Sequence, residues 1–450
     1  MELYNASVEK HRQLILDSLD YLWKNPEAGY KEWKTHAYAK SVFEKLGYTV
    51  TEAGNIPGFT ALVDTGRPGP KLAIFGEMDA LIIPGHPECD PQTGAVHACG
   101  HCAQLAALIG IAAALKEPGM LDGLSGQILL VAVPAEELIE IEERIAMRKE
   151  GRIKYFGGKP EFLWRGLLDG VDLSFMVHTS GPCESGHGCG SNAGSNGLIA
   201  KTVSFQGVSA HAGAAPHRGV NALYAATLAL GAINSLRETF QDAKHIRVHP
   251  IITGGGASVN AIPDLVTMES YVRGADMPAI VDANDKVNRA IAGAAAAMGA
   301  KATITDFPGY WPRLNKADFI GVFAQGAEAA GMTFQYKADS WGTGCSDMGD
   351  MSAVMPAVHP YANGAAGSSH GVNYVIADPE NACVDSAKLQ VQTLRLLLEN
   401  GGARAKQIVA DYAPAFASFQ EYFDFVDSLD MEKETVTYGE GGKVTLDYRK

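Results

Sequence analysis

Apolar residues recur at helical spacing through ELYNASVEKHRQLILDSLDYLWK and predict one long amphipathic helix, broken at Asn25-Pro26. A second helix is expected from about His36 to Leu46, closed by Gly47. The pattern then changes to short, continuously apolar runs, Lys71–Phe75, Gln127–Val133 and Leu173–Val177, separated by the helical stretch Gln104–Leu115. Such runs suit strands buried on both faces. Their alternation with helices predicts an α/β fold, a mixed and largely parallel sheet with helices on both faces. Ile139–Gly170 interrupts the pattern with EIEERIAMRKEGR and FGGKP, and is read as packing or cover, with no chemistry assigned.

From Asn196 the texture becomes KTVSFQGVSAHAG, then a helix Asn221–Arg237, HIRVHPIITGG, VTMESYVRG and a helix Ala279–Met298. These segments form an inserted α+β unit of about 110 residues, the size of a domain. After Pro308 the α/β texture resumes, with helices expected over Asp318–Ala330 and Pro379–Asn400. The chain therefore divides into residues 1–195 and 309–450 of one main domain, the latter with a polar tail from Ser418, and the insertion 196–308.

At 450 residues the length allows about two or three domains. An apolar fraction of 46% with 20% charged residues excludes disorder, and a net charge of -14 makes nucleic acid a poor partner. The seven Cys are odd in number, and the N-terminal stretch lacks an apolar signal region, so a reducing cytoplasm is expected. Leu105–Leu115, the richest apolar window, stops at Lys116, short of the roughly 18 residues of a membrane span.

Candidate chemistry gathers where strands end. The first run leads into Glu77 and Asp79, the second into Glu136-Glu137, the third into His178. Carboxyl ends of strands in an open α/β sheet form the ligand crevice, so these residues are expected to converge. His97, Cys99 and His101 alternate in HACGHC, and together the residues make an N/O/S set suited to Zn²⁺ or a neighbouring transition metal. Each also has an ordinary reading: a solvated acidic pair, a partly buried histidine, or, for Cys99-Gly100-His101-Cys102, a disulfide-isomerase redox motif. Against the last, the flanking sequence is not thioredoxin-like.

The strings GEMDAL, HACGH, VPAEE, VHTS, SAHAGAAPHRGVNA, GGGASVNAIPD, CSDMGDMSAVMP and GSSH, in this order, resemble the metal-dependent amidohydrolase and zinc-carboxypeptidase family. Hippurate, indole-acetyl-amino-acid and p-aminobenzoyl-glutamate hydrolases belong to it, and the resemblance runs from about His11 to Leu398. It implies a catalytic domain with a two-metal site, interrupted by a lid domain that dimerises. Position by position it implies Cys99, His101, Glu137, His178 and His370 as metal ligands, with Cys99 bridging. Glu136 corresponds to the general base and Asp79 to a carboxylate that steadies the site. In the lid, His211 corresponds to a group polarising the scissile carbonyl, and Asn260 and Arg273 to groups holding a substrate carboxylate.

The expected activity is hydrolysis of an amide joining an acyl or aroyl group to an amino acid or aminobenzoate. The alternative is hydrolytic deamination of an electron-poor aromatic amine by attack on the ring carbon. Either needs one or two divalent transition metals per protomer, Mn²⁺ or Zn²⁺ with Co²⁺ or Ni²⁺ as substitutes, a small carboxylate-bearing substrate, and neither nucleic acid nor membrane. A homodimer or higher homo-oligomer is expected. One departure stands out: the family's usual acidic residue and histidine after HACGH are here Cys102 and Gln104. Such a change retunes the surroundings of a metal without removing a ligand.

Overall fold

The computed structural model describes residues 2–182 and 187–450, in two compact units. The first comprises Met1–Gly194, Arg313–Trp341 and Ser346–Phe419, and the second Ser195–Pro312, Gly342–Cys345 and Gln420–Lys450.

The first unit is built on a six-stranded sheet in the order Val50–Glu52, Phe59–Asp64, Gln127–Val133, Lys71–Glu77, Leu173–Phe175, Ala357–Val358. The last four run parallel and the first two antiparallel, in keeping with the expected mixed α/β fold. Lys71–Glu77 is central, with Ile74 opposite Leu130 on one side and Phe175 on the other. Ile74, Leu130 and Phe175 are all buried, which explains the unbroken apolar runs. The helix His101–Ala114, buried along its whole length, packs on that strand, and Arg12–Lys24 and Ser386–Leu398 pack against the helix. A smaller sheet orders Arg313–Leu314, Gly188–Ser195, Tyr361–Asn363 and His178–Ser180.

Local boundaries differ from expectation in instructive ways. The first long helix is two, Glu2–Lys10 and Arg12–Lys24, because His11 leaves helical geometry and its Nε2 meets Glu117 at 2.8 Å. The expected helix from Pro379 opens with a π-helical turn, Glu380–Asp385. The charged interruption after the second apolar run folds into two helices, Ile141–Lys149 and Gly158–Trp164.

The second unit is an antiparallel sheet, Arg247–Val248, Leu265–Gly274, Gly197–Gln206, Lys301–Pro308 and Met431–Glu434, with Ile251–Gly254 also on Leu265–Gly274. Ala222–Ser235 and Met277–Ala297 pack against it over the apolar positions of Gly197–Gln206 and Leu265–Gly274. Alternation of buried and half-exposed residues along Leu265–Gly274 marks a sheet with one covered face. The polar tail, grouped by sequence with the second part of the main domain, instead contributes Met431–Glu434 to this sheet. Most of its side chains are exposed, which accounts for its polar composition, but Thr435 and Val436 are fully buried.

Candidate metal centre

Parallel neighbours deliver their carboxyl ends to one edge, and the residues that follow them meet there. After Lys71–Glu77 the chain brings Asp79, whose Oδ1 accepts from His101 Nδ1 at 3.0 Å and whose Oδ2 accepts from the Glu137 N–H at 2.8 Å. Asp79 thus orients two other residues of the cluster. Burial raises its pKa, but the His101 charge and these hydrogen bonds outweigh burial and hold it at about 2.

The Pro134–Glu137 turn is tightly held. Ala135 adopts a left-handed backbone, φ 55°, uncommon without glycine, and its N–H donates to Glu32 Oε1 at 2.8 Å. Arg144, on the helix Ile141–Lys149 and itself buried, donates to the Glu137 carbonyl. Glu136 and Glu137 are both buried, yet their carboxyls differ. Burial, then the charges of Glu77, Glu137 and Asp347, push Glu136 well up. Glu137 is pushed up by burial but held below the ordinary carboxylate range by His370, whose Nε2 lies 3.2 Å from Glu137 Oε1.

Cys99 and His101 reach the cluster through a sharp turn. Gly100 has φ +88°, and a Cβ there would strike the Thr179 and Tyr374 hydroxyls, so only glycine fits. His101 then begins the helix. This breaks the side-by-side alternation expected of His97, Cys99 and His101. His97 is buried close to His101 and Asp79 but joins none of the ligand sets among the described residues, and burial, then the His101 charge, lowers its pKa to about 3. Cys99 Sγ lies 3.4 Å from His178 Nε2, and His178 Nδ1 donates to the Thr179 carbonyl at 2.8 Å, which turns Nε2 toward the cluster. Among the described residues, three sets bring ligand atoms within 4.8 Å of one another: Cys99–His101–His178, Cys99–Glu137–His370 and Glu77–His101–Glu136.

These sets contain every ligand named from sequence, with Cys99 shared by the first two. The first two sets are thiolate, imidazole and carboxylate donors, the chemistry of a transition-metal pair. The buried His101 Nε2 and Glu137 Oε1 make no hydrogen bond, as expected of atoms meant for an ion. A divalent metal therefore fits. Glu77 of the third set closes a strand; the strand-end pattern places it among the converging residues, while the resemblance gives it no role. Cys102 is buried, its thiol pushed up to about 12 by burial, and Gln104 keeps both amide atoms buried without hydrogen bonds.

His211, Asn260 and Arg273 belong to the second unit. His211 and Asn260 lie together: Ala212 N–H donates to the Asn260 carbonyl at 2.9 Å, and His211 bridges Ala261. The Gly213 and Ala214 N–H groups donate to His211 Nδ1 at 3.2 and 3.1 Å, leaving Nε2 as the proton-bearing nitrogen of an exposed ring. Arg273 is half-buried on Leu265–Gly274, its guanidinium 5.3 Å from the Tyr271 ring centre.

A sheet whose strand ends gather thiolate, imidazole and carboxylate donors defines a candidate transition-metal centre on an α/β fold. The comparison with known families makes it specific. Residues 73–396 match the description "Peptidase family M20/M25/M40", and the chain belongs to that family. It is an enzyme acting on amide or peptide C–N bonds. The chain is similar to the Xaa-Arg dipeptidase of Mus musculus, 28% identical over 362 residues, 76% of this chain and 74% of that one. It is also similar to the indole-3-acetyl-aspartic acid hydrolase of Enterobacter agglomerans, 32% identical over 262 residues, 55% of this chain and 54% of that one. Among solved structures, a Bacillus subtilis protein described as a dinuclear metal binding peptidase of the M20 family shares the fold, with a TM-score of 0.62 at 20% identity, covering 87% of this chain and 99% of that one. No helix among the described residues is long and apolar enough to cross a membrane.

Proposed function

We propose that this enzyme hydrolyses the amide of an N-acyl or N-aroyl amino acid or aminobenzoyl conjugate, with Glu136 as general base. The observation that carries the reading is Glu136 itself. It is buried beside the ligand sets, its Oε2 3.8 Å from His101 Nε2, and burial, then the charges of Glu77, Glu137 and Asp347, raise its proton affinity well above that of an ordinary carboxylate. Cys99, His101 and His178 would hold one divalent ion and Cys99, Glu137 and His370 a second, with Asp79 orienting His101 and Glu137. When bound, such ions acidify water and polarise the carbonyl. Glu136 takes the proton from the attacking water and returns it to the departing amine. His211 Nε2–H is suited to donate to the oxygen on which charge develops. Asn260 and Arg273 would hold the substrate carboxylate, Arg273 with a planar fork that matches it.

The names of the Xaa-Arg dipeptidase and the indole-3-acetyl-aspartic acid hydrolase support a small carboxylate-bearing amide, and the Bacillus structure supports two metals. Manganese or zinc suits the donors. Ring deamination, the alternative activity, has no observation that favours it over amide cleavage. We assign the enzyme to the cytoplasm, in line with free thiols at all six described cysteines. A homodimer through the second unit is supported by the Ile251–Gly254 edge, where Ile251 is 59% exposed, and by exposed Tyr224 and Leu228 on Ala222–Ser235. Mass spectrometry of products from N-acyl and N-aroyl amino acids and aminobenzoates tests the reaction. A free acid plus an amine is expected from Mn²⁺- or Zn²⁺-loaded enzyme and nothing after chelation. A hydroxybenzoate plus ammonia would overturn amide cleavage.

A further inference from the structure

The Ile139–Gly170 segment, to which the sequence pattern assigns no chemistry, carries a cation into the centre. Gly158 sits so close to the Pro134 carbonyl that a Cβ would collide with it, and this approach brings Lys159 beneath the Lys71–Glu77 strand end. Lys159 is wholly buried. Its Nζ donates to Glu77 Oε1 and Asp347 Oδ1, and its N–H donates to Asp347 Oδ2 at 3.0 Å. One oxygen of Glu77 is thereby fixed and the other is aimed. Oε2 accepts no hydrogen bond, is buried, and faces His101 Nε2 at 3.2 Å, an atom equally without a hydrogen bond.

Asp79 Oδ1 holds His101 Nδ1 at 3.0 Å, so the ring presents Nε2 to Glu77 Oε2, and Glu77, His101 and Glu136 bring ligand atoms within 4.8 Å of one another. Donors each about 2.1 Å from one ion, at tetrahedral or somewhat smaller angles, lie roughly 3.0–3.4 Å apart. The Glu77–His101 separation falls in that range, like those of Cys99–His178 and Glu137–His370 at 3.4 and 3.2 Å.

We propose that Glu77 Oε2 is a direct ligand of the ion held by His101, and that Lys159 is the positioning residue that aims it. The proposal rests on the reading of this cluster as a metal centre. Glu77 lies outside the ligand set implied by the family resemblance. Its hard oxygen, added to Cys99, His101 and His178, shifts that position from Zn²⁺ toward Mn²⁺. Lys159 balances the extra negative charge and, having no acceptor atom, cannot compete for the ion.

The test is metal binding by the full chain after chelation and dialysis, with Mn²⁺ followed by electron paramagnetic resonance and Co²⁺ by its thiolate and ligand-field absorption. Wild type should bind two ions. Glu77→Gln keeps the size and the acceptor for Lys159, so its melting temperature should stay close to wild type. It should weaken one Mn²⁺ by at least 100-fold, spare the other, and move the Zn²⁺/Mn²⁺ preference toward zinc. Lys159→Met combined with Asp347→Asn should weaken the same ion by roughly 10–100-fold, the range for residues that orient ligands. Glu137→Gln should weaken the other ion instead. Wild-type affinities for both ions in folded Glu77→Gln would overturn the proposal and leave the metal centre standing. Failure of wild type to bind either metal would overturn both.

Discussion

Each unit buries one lysine completely, and the two are used in opposite ways. Lys201, on Gly197–Gln206, donates to Asp306 and Asn288, while the other oxygen of Asp306 accepts from Asn284 and Asn288 at 2.7 and 2.9 Å. The Asp306 carboxylate is thus fully occupied by groups from the sheet and the Met277–Ala297 helix. Lys159 instead bonds a carboxylate that keeps one oxygen bare. Burial lowers the pKa of Lys201 despite Asp306, whereas Asp347, Glu77 and Glu136 together outweigh burial and raise that of Lys159. A closed polar network ties a helix to a sheet. A network left open on one side, next to thiolate and imidazole donors, is a place for a ligand.

The contrast breaks most visibly at Glu136. Glu136→Gln should lower kcat by about 10²–10⁴-fold, the weight of a general base, while metal content and melting temperature hold. Retained turnover would remove the proposed chemistry. Lys201→Met should do the reverse: about 3–5 kcal/mol of stability lost in urea unfolding, because Asp306 is left buried and unpaired, with kcat per folded molecule unchanged. His211→Ala sharpens the division between the units, since the proposed oxyanion donor belongs to the second one. A kcat loss of about 10²–10³-fold, read from initial rates, is expected of a lost oxyanion donor, with little effect on melting.

The smallest effect is a slope. Since the folded pKa of Lys201 lies below its unfolded 10.5, the unfolded chain holds a proton that the folded chain has released at pH values between the two. Stability should therefore rise with pH across that window. The charged groups facing Lys201 are Asp306 on the sheet and Asp285 on the helix, both anionic there. Urea unfolding over alkaline pH should show the rise in wild type and lose it in Lys201→Met.

Much of the first unit is legible in the sequence because a buried parallel sheet forces continuous apolar runs, whose ends share one edge. That reasoning alone reaches Glu77, Asp79, Glu136, Glu137 and His178, without any resemblance. It fails for His97, which joins none of the ligand sets among the described residues, because the left-handed Gly100 and the helix that begins at His101 break the extended alternation, and a string cannot reveal such a turn. His370 is reached only through the family motif, since it sits on a left-handed, non-glycine residue with φ 62° in an irregular segment. Lys159 and Asp347 are 188 residues apart, and a pairing of that range leaves no periodic trace. The only local hint is a lysine set in FGGKP at the head of an apolar helix.

The strand Met431–Glu434 has a consequence for how the molecule is made. It pairs with Thr303–Asp306, and the Thr435 N–H donates to the Ala302 carbonyl at 2.7 Å, so the second unit closes with residues far downstream of its body. On the ribosome, residues 195–312 would wait with the Lys301–Pro308 edge unpaired until the 431–436 segment emerges. An exposed strand edge invites pairing with another nascent chain. Shortened chains ending before Met431 should accordingly be recovered as aggregates even though every residue of the metal centre has already been synthesised.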